Sequence, residues 1–191
     1  MKKIALLFVA TLISVATFGQ TKWNVDNMHS FVNFSVKHLG ISFVDGRFDK
    51  YEGTFDGTAD DITKGTFNFT VDINSINTGV EMRDNHLKTD DFFNAEKYPS
   101  MKFESTSIKK TGKDQYKLTG NLTIRDITKP VTFDLTYGGL LKDDGQGNSK
   151  LGFQATTTIN RFDFDVNYDP SGQAIAKDVK VSVNLEFTQA K

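Results

Sequence analysis

An all-β fold is what this sequence predicts, a meander of antiparallel strands closing into a sandwich or a barrel, and three features carry that prediction. Four runs put a residue of one face at every second position: Phe67-Phe69-Val71-Ile73, Tyr116-Leu118-Gly120-Leu122-Ile124, Val131-Phe133-Leu135-Tyr137 and Val179-Val181-Val183-Leu185-Phe187. Successive side chains of a strand point to opposite faces, so each run is a strand with one oily and one wet face. Short segments rich in Gly, Asp and Asn separate such runs, as direct connections between neighbouring strands require. Only the stretch between Ser75 and Pro99 abandons the two-residue period. The oily faces must turn toward one shared interior, and what fills that interior is the functional question.

Residues 1–19 read as a secretory signal peptide. Lys2 and Lys3 start it, an apolar stretch runs from Ile4 to about Phe18, and Thr17 and Gly19 suit the small positions before a cleavage site. The remaining residues, 20–191, form one domain. Over 31–38 Val32, Phe34 and Val36 share a face that His38 continues. The turn signals Asp45-Gly46 and Asp56-Gly57 make 40–57 a bent strand or hairpin, and 65–73 is a strand. Thr78 followed by Glu81 predicts a capping box ahead of a helix over 80–88, each side chain satisfying a free backbone N–H. A second short turn starts near Asp90-Asp91 and ends at Pro99. Strands resume at 101–108, 114–124, 130–139, 150–159 and 178–188, with Asp143-Asp144-Gly145-Gln146-Gly147-Asn148 as a turn. The whole is roughly eight or nine strands with one short helical insertion.

The chain contains no cysteine, which excludes disulfides, thiolate metal sites and catalytic thiols. Its formal charge of −1 comes without any Lys/Arg cluster, which argues against nucleic acid or an anionic membrane surface as partner. After the leader no segment approaches the ~18 apolar residues of a membrane-spanning helix. The three histidines, His29, His38 and His86, show no metal-ligand spacing. Asp163, Asp165, Asn167 and Asp169 imitate the start of a calcium loop, but Tyr168 stands where Gly is required and Ala174 where the bidentate Glu belongs. Nucleophile elbow, P-loop and dinucleotide fingerprint are all missing, so the sequence implies no cofactor.

Three stretches resemble the YceI-like family of secreted, lipocalin-like proteins associated with polyisoprenoid binding. The first is His29-Ser30-Phe31-Val32-Asn33-Phe34-Ser35-Val36-Lys37-His38-Leu39-Gly40. The most specific runs Thr78-Gly79-Val80-Glu81-Met82-Arg83-Asp84-Asn85-His86-Leu87-Lys88, then Asp90-Asp91-Phe92-Phe93-Asn94 and Lys97-Tyr98-Pro99. The third joins Leu122-Thr123-Ile124 and Thr128-Lys129-Pro130-Val131 to Ile159-Asn160-Arg161 and Asp163-Phe164. Arg125-Asp126, Phe162 and Asp165 depart from the family pattern near expected strand ends, where they bear on ligand identity more than on fold. The resemblance implies an antiparallel lipocalin-like barrel of about eight strands, holding a long-chain isoprenoid lipid such as a quinone tail or a prenyl lipid. It also implies a periplasmic or secreted location after signal cleavage, and a homodimer.

The oily phase has two readings. It is either a barrel interior packed solid or the lining of a slot. The resemblance favours the slot, which makes Phe34, Val36, His38, Phe67, Phe69, Phe92, Phe103, Leu122, Phe133, Phe153 and Phe164 the candidate ligand-binding wall. Arg83, Asp84, His86 and Asp90 form the densest polar cluster. Either Arg83 and His86 meet a polar head group at the mouth, or an Arg–Asp pair pins the helical insertion to the barrel. His38, alone on an oily face, reads first as a hydrogen-bonded core residue. Burying one isoprene unit gains roughly 3–4 kcal/mol gross at ~0.8 kcal/mol per CH₂. A few units therefore offset an association cost of ~4–15 kcal/mol, and the head group serves choice of ligand more than grip.

Three functions fit this pattern: a lipid carrier, an enzyme using His86 and Asp84 as an acid–base pair in the same pocket, or an outer-membrane barrel with its oily face outward. The polar wet face Lys180-Ser182-Asn184-Glu186 and the helical insertion favour the carrier, a binding protein and not an enzyme.

Overall fold

The computed structural model describes residues 21–190, so the expected signal peptide lies outside the described residues. The strands are β1 (Thr21–Val25), β2 (Phe31–His38), β3 (Ser42–Phe48), β4 (Tyr51–Gly57), β5 (Thr66–Asp72), β6 (Ile76–Asn77), β7 (Ser100–Gly112), β8 (Gln115–Ile124), β9 (Ile127–Leu141), β10 (Lys150–Asn160) and β11 (Ile175–Gln189), with one helix, α1 (Glu81–Leu87), between β6 and β7. All pairings are antiparallel. The ring β1-β4-β5-β7-β8-β9-β10-β11 closes on itself through the β1–β11 pairing, giving an eight-stranded barrel. Closure removes the unpaired edge that an open sheet would offer to other chains.

The long β11 explains why there are more strands than barrel positions. Its last residues pair with β1, as Phe187 does with Val25, and its earlier ones with β2, as Val183 does with Val32. β1 and β2 are thus two parts of one barrel staff, interrupted over 26–30. Ser30 stitches the break: its hydroxyl accepts the Glu186 N–H at 2.9 Å and faces the Glu186 carbonyl at 3.3 Å. The Tyr51 hydroxyl donates to the Ser30 carbonyl from the start of β4. β3 and β4 form a second staff bent at 49–50, and β5 continues into β6, which pairs back onto β3. α1 and the turns after it then fill the wall between β6 and β7.

The observed strands follow the apolar alternation closely, with three departures. β1 leaves no trace in the sequence pattern, because five residues carrying a single buried side chain, Trp23, are too few to show a period. Asp45-Gly46 lies inside β3 and Asp56-Gly57 ends β4, while the hairpin turns at Leu39-Gly40, both at positive φ (50° and 71°). The capping box does not form. Gly79 sits at φ 78°, so the helix cannot start from Thr78, and Val80 takes the cap position without a side-chain bond. Asp84 reaches back instead, its Oδ1 accepting the Thr78 N–H at 2.9 Å and the Thr78 hydroxyl at 2.5 Å.

Along the barrel axis the interior changes character. At the β1 end it is solid: Trp23, Phe55, Leu151, Phe153 and Phe187 are buried together. The ring centroids of Phe55, Phe67 and Phe153 lie 4.6 to 5.5 Å apart, the spacing of a packed aromatic cluster. Toward α1 the same inward phase no longer meets across the barrel.

Candidate functional site

A continuous cavity of about 430 Å³ runs from this aromatic plug to α1. Along β11 its wall includes Leu185, Val183, Val181, Val179 and Ile175, which is roughly 33 Å of strand at ~3.3 Å per residue. Opposite lie Phe67, Phe69 and Val71 of β5, Phe103 of β7, Leu118, Leu122 and Ile124 of β8, and Phe133 and Leu135 of β9. The plug-end residues Phe67 and Leu135 are fully buried, whereas His38, Arg83 and His86 at the far end are only partly so, which marks the α1 end as the mouth. Outward positions such as Lys102, Glu104, Lys117 and Asp134 are exposed and polar. This polarity is the reverse of a transmembrane barrel, whose apolar band faces outward.

Why the oily faces leave a hollow is visible in a cross-strand pattern. Gly46 pairs with Phe34, and Gly53 pairs with Phe69. A Cβ built on Gly46 would stand 2.3 Å from the Phe34 ring, and one on Gly53 2.2 Å from the Phe69 ring. Gly120 does the same for Phe103 at 2.4 Å. Each ring lies flat over a neighbour's bare backbone, against the wall and out of the lumen. The aromatic surface thereby lines the space without closing it.

The mouth is built from α1, the β2–β3 hairpin and the loop between β10 and β11. Arg83 donates through Nε to the Thr78 hydroxyl at 2.7 Å and through Nη2 to the Thr78 carbonyl at 2.9 Å. The insertion is thus held by Thr78, which takes both Arg83 and Asp84, and among the described residues Arg83 makes no direct pair with an Asp. His86 Nε2 meets Asp91 Oδ2 at 2.7 Å, and its ring stands edge-on to Phe92 and Tyr168. Asp84 and His86 have separate partners, so the acid–base pair of the alternative, enzymatic reading is not assembled. His38 faces the cavity with no side-chain hydrogen bond among the described residues, contrary to the expectation of a bonded core histidine.

Twelve of the thirteen candidate residues line this one cavity: Phe34, Val36, His38, Phe67, Phe69, Arg83, His86, Phe92, Phe103, Leu122, Phe133 and Phe164. Phe153 does not. It is 4% exposed and belongs to the plug, between Phe55, Phe67, Tyr137 and Phe187. The alternation assigns its face correctly, but depth along the barrel is not encoded in a two-residue period.

Sequence reasoning passes over Arg161, which is 5% exposed and lines the cavity near its mouth. Its guanidinium donates to the carbonyls of Val166 at 2.5 Å, Ile175 at 2.9 Å, and Ala176 and Asp169 at 3.1 Å each. Burial pulls its pKa below the ordinary arginine value, and the Asp169 carboxylate opposes that shift. The one available signal is its place in the Ile159-Asn160-Arg161 stretch, directly after an alternating strand.

A second charged cluster lies outside the cavity. Asp26, His29 and Glu186 bring three potential ligand atoms within 4.8 Å of one another. The Lys150 ammonium already stands between the two carboxylates, 2.8 Å from Asp26 and 3.0 Å from Glu186, and supplies the positive charge they call for. Its hydrogen bond holds the Asp26 carboxyl at a pKa of about 2, against the opposing effect of burial.

A YceI-like domain model matches residues 23–187. A UPF0312 protein of Pectobacterium atrosepticum is 36% identical over 198 residues, covering 100% of both chains. The crystal structure of a Campylobacter jejuni YCEI protein superposes with a TM-score of 0.74 at 34% identity, over 81% of this chain and 90% of that one. A polyisoprenoid binding domain from Saccharophagus degradans shares the fold, with a TM-score of 0.71 at 18% identity over 90% and 99% of the two chains. In sequence, along nearly its whole described length, and in its closed antiparallel barrel, the chain belongs to the YceI-like family.

Proposed function

We propose that this protein binds a long isoprenoid-type lipid, a quinone tail or a prenyl chain, one per barrel, in the periplasm or outside the cell after loss of the 1–19 leader. The observation that carries the reading is the cavity: long, walled by hydrocarbon side chains, plugged at one end and open beside α1. A hydrated void with such a wall would be costly, whereas a hydrocarbon chain gains ~0.8 kcal/mol per CH₂ buried. The family membership and the shared fold of a barrel named for polyisoprenoid binding support the same ligand class. His86 takes the Asp91 carboxylate at the mouth, beside α1, while the length of the tunnel is walled by hydrocarbon side chains, so the binding reading is preferred to catalysis.

The test is intact-complex mass spectrometry of the protein purified from a bacterial periplasm. It should carry organic-extractable lipid at about one per chain, with the lipid chemically unaltered by the protein. A preparation that is empty, and stays empty when a delipidated sample is offered prenyl lipids, would overturn the proposal. Conversion of an added lipid, abolished by His86→Ala, would replace it with an enzyme.

A further inference from the structure

The titratable groups in the cavity lining are His38, Arg83, His86, Lys102, Arg161 and the neutral phenol of Tyr168, and no Asp or Glu is among them. Lys102 is exposed on the outer face, so the others define the charge of the interior. His86 is answered by Asp91, and Arg161 is occupied by its backbone carbonyls. Arg83 and His38 are different. Arg83 spends only Nε and one Nη2 hydrogen on Thr78, and no carboxylate lies within ion-pair distance of it among the described residues. The neighbouring Asp84 is turned to the Thr78 N–H and hydroxyl. His38 lines the same cavity and has no side-chain hydrogen bond among the described residues. A hydrocarbon tunnel therefore ends in unspent N–H groups and a fixed positive charge.

We propose that the cavity selects lipids whose head is an oxyanion, a phosphate or a carboxylate, received by the free Nη1 edge of Arg83 with His38 as second donor. This rests on the lipid-binding reading and adds the chemistry of the head to it. A guanidinium presents a planar fork of donors matched to such oxygens, and a partly buried site strengthens the charge-assisted bond. A neutral hydroxyl in the same place can accept one bond and brings no countercharge.

The experiment compares geranylgeranyl phosphate with geranylgeraniol, which have the same tail, on delipidated protein by equilibrium dialysis. A fatty acid of matching length supplies the carboxylate arm and distinguishes the two sources of oxyanion. The phosphate or the carboxylate should bind about 10- to 100-fold more tightly than the alcohol, the scale of a charge-assisted bond. Arg83→Gln should cut that preference to about threefold, and Arg83→Lys should keep part of it, because charge survives without the fork. Equal binding of alcohol and oxyanion lipids by the unaltered protein would overturn the head-group inference and leave lipid binding intact. Equal weakening of both by Arg83→Gln would also overturn it, assigning Arg83 to holding the insertion. Failure of every prenyl lipid to bind would instead overturn the proposed function.

Discussion

Arg161 shows how one side chain shapes the site without touching a carboxylate at ion-pair distance. Its N–H groups take the carbonyls of Val166 and Asp169 in the loop from β10 to β11, and those of Ile175 and Ala176 at the start of β11. Asp169 completes the loop by accepting the N–H groups of Ala174 and Ile175 at 2.8 and 2.9 Å. Replacing Arg161 by Met should cost about 3–5 kcal/mol in urea unfolding, since several buried carbonyls lose their donor at once. Arg161→Lys should recover little, because one ammonium cannot span those positions. None of this is legible in the sequence, since backbone carbonyls have no letter there. His38 is legible as a cavity-facing residue through its phase with Val36, but its lack of a partner is not. That depends on which groups of β3, β11 and α1 come within reach.

At the scale of strands, the pairing of a glycine with a phenylalanine is what separates a hollow barrel from a filled one. Gly53→Ala would place a methyl group 2.2 Å from the Phe69 ring and force that ring into the lumen. The variant should keep its β-sheet circular dichroism and bind prenyl lipid about tenfold more weakly, the scale of a 1–3 kcal/mol overpacking cost. Unchanged affinity would show that the ring has somewhere else to go. The sequence displays Phe69 and Phe34 as members of an alternating phase, and it displays Gly46 as a turn signal. Which glycine faces which ring depends on register, and register is a property of two strands together. The same limit puts Phe153 in the expected cavity wall when it belongs to the plug. β7 to β11 are legible because long strands repeat their period many times. β1 and β6 are not, having too few residues to repeat anything.

For the molecule as a whole, closure of the ring depends on the seam where β11 meets β1. There Lys150, at the start of β10, bonds Asp26 just beyond β1 and Glu186 on β11, with His29 3.1 Å from Asp26. The hydrogen bond from Lys150 lowers the Asp26 pKa from 3.8 to about 2 in the folded state. A carboxyl that is more acidic folded than unfolded adds stability above its unfolded pKa and loses it as pH falls through the folded value. Asp26→Asn should therefore remove about 2 kcal/mol near neutral pH and flatten the fall in stability between about pH 4 and pH 2, as read from urea midpoints. The opposite end of the barrel sets another condition. Because Trp23, Phe55, Phe153 and Phe187 seal the interior, the molecule is a sheath and not a pipe. Any guest must enter tail first and withdraw by the way it came, so α1 stands guard over arrival and departure alike. The distance from that gate to the aromatic floor then acts as a ruler: a tail longer than the sheath leaves its surplus outside.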